Sequence, residues 1–185
     1  MVENIMFLPE CHVDTALARV LIEIRPLHFI NHKHGISQVA TTLQQQAENN
    51  RGPRLVVGLV NRDKQFAQNK YLRQFATPFA GRTGPDCRYS IYRHPQISSH
   101  FLLVLDPACD TWIFEAAQAA QLDLTALGLP PTLAGFIDFA KDERAERNPQ
   151  LLALLQAIRR TQPPAYRELA EFVSEVVDPN SRLWR

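Results

Sequence analysis

Leu55-Val56-Val57-Gly58-Leu59-Val60 is the stretch on which the fold turns. It is apolar throughout, rich in β-branched residues, and shows no polar alternation. Such a run fits a central parallel strand buried on both faces. Gly58 in its middle marks a close backbone approach, or a neighbour that needs room. Asn61-Arg62-Asp63-Lys64 follows at once, so the strand empties into a charged turn at its carboxyl end. On the other side, the breaker cluster Asn49-Asn50-Arg51-Gly52-Pro53 closes a helix predicted over 37–48.

Working outward, residues 4–9 (NIMFLP) form a short apolar run closed by proline and read as a buried strand. Val13, Leu17, Val20, Leu21 and Ile24 recur at helical spacing, with Asp14 in the first turn, where negative charge suits the helix dipole. Pro26 stops that helix, residues 27–30 (LHFI) predict a second strand, and His32, Lys33, His34 and Gly35 make a polar turn. Beyond the central strand the pattern predicts a helix over 64–75, a turn at 82–86, and strands over 88–92 and 100–105. From there it is helical: 111–122 with Asp110 as N-cap, then 131–139, 149–159 and 164–177, before a loose tail. Strand–helix alternation in the first half implies parallel βαβ units. The expected fold is therefore α/β: a mostly parallel, Rossmann-like sheet flanked by helices, with a helical C-terminal extension. Residues 1–108 form the core and 109–185 pack on it, as one domain overall.

The chain has 185 residues, a length that suits one such domain, and its formal net charge of +1 announces no global basic field. Cys11, Cys87 and Cys109 are odd in number and in no CxxC pair, which argues against a disulfide framework and a structural zinc site. A reduced, cytoplasmic setting is expected. The opening MVENIMFLPE has no basic n-region, and no stretch nears the roughly 20 apolar residues of a membrane span. A Gly-rich phosphate loop and a G-x-S-x-G motif are both missing, which removes the P-loop, dinucleotide and common α/β-hydrolase readings.

Ligands of open α/β sheets bind outside the carboxyl ends of the strands. Two such ends carry acid here: Glu10-Cys11-His12-Val13-Asp14 after the first strand, and Asn61-Arg62-Asp63 after the central one. If these strands are neighbours, Glu10 and Asp63 share one crevice. Two or three hard oxygen ligands suit Mg²⁺ or Mn²⁺. His12, Lys33, His34, Arg62 and Lys64 would then meet phosphate charge.

With these residues on the page, the sequence resembles the Toprim domain of primases, topoisomerases and overcoming-lysogenization-defect-type nucleases. That family carries E-G-x-x-D after its first strand and D-x-D after its third. Glu10 to Asp14 reproduce E-x-x-x-D, Asn61-Arg62-Asp63 stand where D-x-D belongs, and Gly35 suits the order, over roughly residues 4–106. The chain departs from the pattern at Cys11, in place of glycine, and at Asn61, which offers a carbonyl oxygen but no charge. The resemblance implies Glu10 as catalytic acid/base or metal-proximal carboxylate, Asp63 as main metal ligand, Asn61 as a weakened partner, and Asp106 as the further acidic ligand. Asp110 and Glu115 are second choices. It implies a metal-dependent nuclease acting on nucleic acid, in a bacterial defence or DNA-maintenance system. The alternatives are a catalytically degenerate module whose C-terminal helices dock a partner protein, and a small-molecule phosphate enzyme.

Each residue also has a plainer role. Asp14 suits a helix first turn, Asp63 a helix N-cap, and Asp106 before proline a strand-ending turn. Cys11 beside carboxylates reads as an inert small residue. His32 and His34 read as part of a solvated loop, because no carboxylate lies near them in sequence. Residues 141–147 (KDERAER), mixed in sign, read as a solvated helical face.

Overall fold

In the computed structural model the described residues are 5–22, 29–49, 55–82, 88–178, 180, 181 and 183. Among them five strands form one sheet: β1 (Ile5–Pro9), β2 (Leu55–Asn61), β3 (Thr77–Arg82), β4 (Arg88–Arg93) and β5 (His100–Asp106), in the spatial order β1-β2-β5-β4-β3. The run Leu55–Asn61 is the central parallel strand, with β1 and β5 parallel on either side of it. The other half of the sheet is antiparallel, because β4 runs against both β5 and β3. The parallel reading therefore holds for β1, β2 and β5 and stops there.

Among the described residues seven α-helices accompany the sheet: α1 (His12–Leu21), α2 (Ile36–Glu48), α3 (Lys64–Gln68), α4 (Cys109–Ala119), α5 (Leu133–Ala140), α6 (Pro149–Thr161) and α7 (Pro164–Val177). Side chains alternate across the strands, so each face has its own core. Phe7, Val57, Leu59, Phe101 and Leu103 pack under α1, α4, α6 and α7. Leu8, Val56, Val60, Leu102 and Val104 pack under α2, Leu72 and Phe75. The C-terminal helices thus share one sheet face with α1: Phe101 of β5 lies 5.7 Å from Phe172 of α7, ring to ring, and Tyr89 of β4 donates to Glu168 at 2.8 Å. Gly58 shows why the central strand carries a glycine. A Cβ there would stand 2.9–3.1 Å from Leu102, Leu43 and Val39, so its absence lets α2 lie close on β2.

Several boundaries differ from the sequence reading. The helix predicted over 64–75 breaks after Gln68, because the Asn69 side chain accepts from the N–H groups of Tyr71 and Leu72 and starts a fresh turn at Leu72–Gln74. β3 was not foreseen: it carries Pro78, which a sheet tolerates at an edge strand. The strand expected at 27–30 falls partly outside the described residues, and Ile30 makes a lone parallel bridge to Phe7. The predicted turn at 82–86 and the end of the helix over 13–24 also fall largely outside them. Among the described residues no helix is long and apolar enough to cross a membrane.

Candidate functional site

Because β1, β2 and β5 are parallel and adjacent, Pro9, Asn61 and Asp106 end on one edge of the sheet. Glu10 leaves β1 there under tight restraint. Its N–H donates to the Leu59 carbonyl at 3.0 Å, and its own carbonyl accepts from Gly35 at 2.8 Å. Its carboxylate Oε2 accepts from the Asn61 N–H at 3.0 Å, bridging the ends of β1 and β2. Burial pushes its pKa up to about 7; the Asn61 N–H opposes this, and the charges of Asp14 and Asp63 add to it. Asp63 stands exposed after β2, where its Oδ1 caps α3 by accepting from Phe66 at 2.9 Å. Glu10 and Asp63 are thus electrostatic neighbours, as the sequence suggested, and the capping role read for Asp63 is also real.

Three other expected site residues are committed elsewhere. Asn61 turns its Oδ1 to the backbone N–H of Cys109 at 2.8 Å, so the atom expected on a metal is the cap of α4. This also corrects Asp110 as N-cap. The helix starts two residues earlier, its N-cap residue Ala108 has no capping side chain, and Asn61 supplies the acceptor from across the sheet. Asp110 accepts from Thr111 in the first turn instead, and Glu115 lies farther along α4. Asp106 is not an open metal ligand, because it pairs with Arg62 Nε at 3.3 Å and Arg88 at 4.0 Å. Arg62, expected on phosphate, is engaged along the sheet edge: its Nη2 donates to Ser90 and Tyr92, and its guanidinium lies over the Phe66 ring. These contacts lock the end of β2 to β4 and β5.

On the other side of Glu10, Asp14 is fully buried. It forms a reciprocal capping box with Cys11, in which the Cys11 N–H donates to Oδ2 at 3.0 Å and the Asp14 N–H to Sγ at 3.5 Å. The Cys109 thiol lies against the same carboxylate. Oδ1 nevertheless makes no oriented hydrogen bond among the described residues, and we read the thiol as a weak polar contact. Burial raises Asp14 to about 6, against those hydrogen bonds. Burial and the Asp14 charge push the Cys11 thiol well above its ordinary range, and Cys109 likewise, which disfavours the thiolate form at both. Cys11, Asn61, Cys109 and Lys141 line a cleft of about 190 Å³ between the first turns of α1 and α4.

The sequence reading missed a third cluster. His12 opens α1, and the loop carrying His32 and His34 is pinned beside it by Lys33 N–H to Pro9 O at 3.0 Å and by the Gly35–Glu10 bond. One ligand nitrogen from each of the three imidazoles lies within 4.8 Å of the others. Ring centroids are 4.3 Å apart for His12 and His32, and 4.2 Å for the stacked pair His32 and His34. The missing carboxylate is Glu146, whose Oε2 sits 3.9 Å from Nδ1 of both His12 and His32. It comes from the stretch read as a solvated helical face. In the structure Ala145–Arg147 is a 3-10 turn with Ala145 buried and the Glu146 side chain only 14% exposed. Arg19 meets the same Oε2 at 3.7 Å. His12 therefore faces this cluster rather than a phosphate. His32 is shifted to lower pKa by burial, then by its two imidazole neighbours. No local signal links Glu146 to His12 across 134 positions of sequence; the pairing comes from α1 packing against this turn.

No family model matches this chain, and no curated protein or solved structure matches it either.

Proposed function

We propose that the carboxyl edge of β1, β2 and β5 is a metal-assisted phosphodiester site, acting on nucleic acid by hydrolysis, with Glu10 and Asp63 as its working carboxylates. The observation that carries this reading is the placement of Glu10: it is clamped between two strand ends, half-buried, and within electrostatic reach of Asp63. The resemblance of Glu10 to Asp14 and of Asn61 to Asp63 to Toprim motifs supports the same assignment.

A divalent ion fits this edge through two residues rather than four. Glu10 and Asp63 each give one carboxylate oxygen to a backbone N–H, and the second oxygen of each remains for Mg²⁺ or Mn²⁺. Mg²⁺ commonly binds through one or two carboxylates and keeps several waters. Asn61 and Asp106 do not fit, since their oxygens serve α4 and the arginines. When bound, the ion would polarise a phosphate and acidify a water. Without the ion Glu10 has a pKa of about 7, so the ionised form that would hold the metal is reached near neutral pH, and metal binding would release a proton. Lys64, exposed next to Asp63, supplies positive charge for a phosphate, and Lys33, half-buried on the loop hydrogen-bonded to Pro9, supplies more.

The test is Mg²⁺ and Mn²⁺ calorimetry with cleavage assays on single- and double-stranded DNA and RNA. It uses the wild type, Glu10→Gln and Asp63→Asn; asparagine keeps the cap of α3. The expected result is metal-dependent cleavage that both variants lose while remaining folded. No binding at millimolar metal and no cleavage of any polymer would sink the reading. The second reading is a non-catalytic, partner-binding module, and the commitment of Asn61 and Asp106 to structural contacts favours it. Cleavage of mononucleotide esters without action on polymers would single out a small-molecule phosphate enzyme.

A further inference from the structure

We propose that His12, His32 and His34 form a transition-metal site of the zinc type, backed by the carboxylate of Glu146. It is separate from the carboxylate edge and uses a different class of ligand. Imidazole nitrogens suit Zn²⁺, while the hard carboxylate oxygens of Glu10 and Asp63 suit Mg²⁺. Three histidines are a known zinc ligand set that leaves a fourth position open.

The geometry carries the assignment in three ways. First, the ligand atoms are brought together from distant positions and held there. His12 is fixed at the start of α1, and the loop of His32 and His34 is tied to β1 by two backbone hydrogen bonds. Second, the three nitrogens lie within 4.8 Å of one another. Zn–N bonds of about 2.0–2.1 Å in a tetrahedron put nitrogens about 3.3 Å apart, so small side-chain rotations close the site. Third, His12 Nδ1 is buried and has no hydrogen-bond partner among the described residues, and Glu146 stands 3.9 Å from it and from His32 Nδ1. A carboxylate behind metal-bound imidazoles fixes ring orientation and raises ligand basicity. Arg19 and Arg147 in turn hold Glu146, at 3.7 and 3.5 Å. His34 sits at φ +51°, a left-handed conformation that turns the loop back toward α1.

The experiment loads the full chain, purified under chelator, with Zn²⁺ against a chromophoric competitor and separately with Co²⁺. Expected are one equivalent of Zn²⁺ with an apparent Kd below about 1 μM, and visible Co²⁺ bands of a nitrogen–oxygen tetrahedral site. His12→Ala, His32→Ala and His34→Asn should each abolish both signals; asparagine tolerates the left-handed backbone at position 34. Glu146→Gln should keep the Co²⁺ bands and weaken Zn²⁺ by 10–100-fold. Circular dichroism and thermal unfolding of each apo variant establish that it is folded. Absence of zinc binding in the wild type would overturn the proposal. So would binding that survives two of the three histidine substitutions, or thiolate-to-cobalt charge transfer, which would move the metal to Cys11 and Cys109.

Discussion

Replacing Glu10 by glutamine should stabilise the protein, and only above acid pH. Burial raises the Glu10 carboxyl from 4.5 to about 7 in the folded chain, while the unfolded chain keeps the lower value. Below pH 4.5 both states hold the proton and the shift has no effect. Between pH 4.5 and 7 the folded state holds the proton and the unfolded state releases it, so stability falls as pH rises; above 7 the penalty is complete. At about 1.4 kcal/mol per pH unit this amounts to roughly 3 kcal/mol, and solvent at the exposed part of the side chain reduces it to about 2. Glutamine removes the charge and keeps an oxygen for the Asn61 N–H. The Glu10→Gln variant should therefore melt about 4–8 °C higher at pH 8, with the gap closing at pH 4. Thermal and urea unfolding in chelator, at both pH values, reads this directly. A variant no more stable than wild type at pH 8, or a gap of the same size at pH 4, would refute the reasoning. A stabilised variant that has lost cleavage would join the cost of the buried carboxylate to its use.

Two further substitutions probe how the edge is built. Asn61→Ala removes the acceptor for the Cys109 N–H and should cost about 1–2 kcal/mol by urea unfolding, whereas Asn61→Asp keeps the acceptor and should lose under about 1 kcal/mol. Equal losses in the two would show that Asn61 does not cap α4. Gly58→Val should cost more than Gly58→Ala, about 1–3 kcal/mol against a smaller loss, although valine favours strands. A valine variant as stable as wild type would show that α2 can move off β2.

The central strand was legible because burial on both faces leaves a continuous apolar run, and Gly58 was legible because a strand-interior glycine has few other uses. Glu10 and Asp63 were legible as strand-end acids, and topology then made them neighbours. The rest turned on pairings that sequence order hides. Nothing near Asn61 says that its side chain will cap a helix 48 residues downstream, and that one bond removes it from the metal set. Nothing near Asp106 reveals that β4 will return antiparallel and bring Arg88 opposite it. Glu146 lies in a run of alternating charge, a pattern that on a solvated surface carries no information. It became visible only as part of a turn that buries Ala145 and packs against α1. Of the antiparallel half of the sheet, β3 was missed because it is a proline-bearing edge strand.

The two candidate sites are joined by one short piece of backbone, and this joint makes a prediction. Lys33 and Gly35 donate to the carbonyls of Pro9 and Glu10, so the loop that carries His32 and His34 hangs from the turn that carries the Glu10 carboxylate. A metal on the three imidazoles would tie that loop to α1 through His12 and suppress its local opening. Ligand that binds only the folded form stabilises by about 2.7 kcal/mol at 100 times its Kd. Local opening that breaks the histidine site pays the same penalty as global unfolding, so amide exchange at Lys33 and Gly35 should slow by up to about 100-fold in saturating Zn²⁺. Amides of β3, on the far edge of the sheet, should slow only to the extent that they exchange by global unfolding. Hydrogen exchange at residue resolution, with and without Zn²⁺, separates the two. Unchanged exchange at Lys33 and Gly35 in the zinc-loaded protein would mean that these hydrogen bonds open without disturbing the histidines. The metal centre and the Glu10 turn would then be mechanically independent.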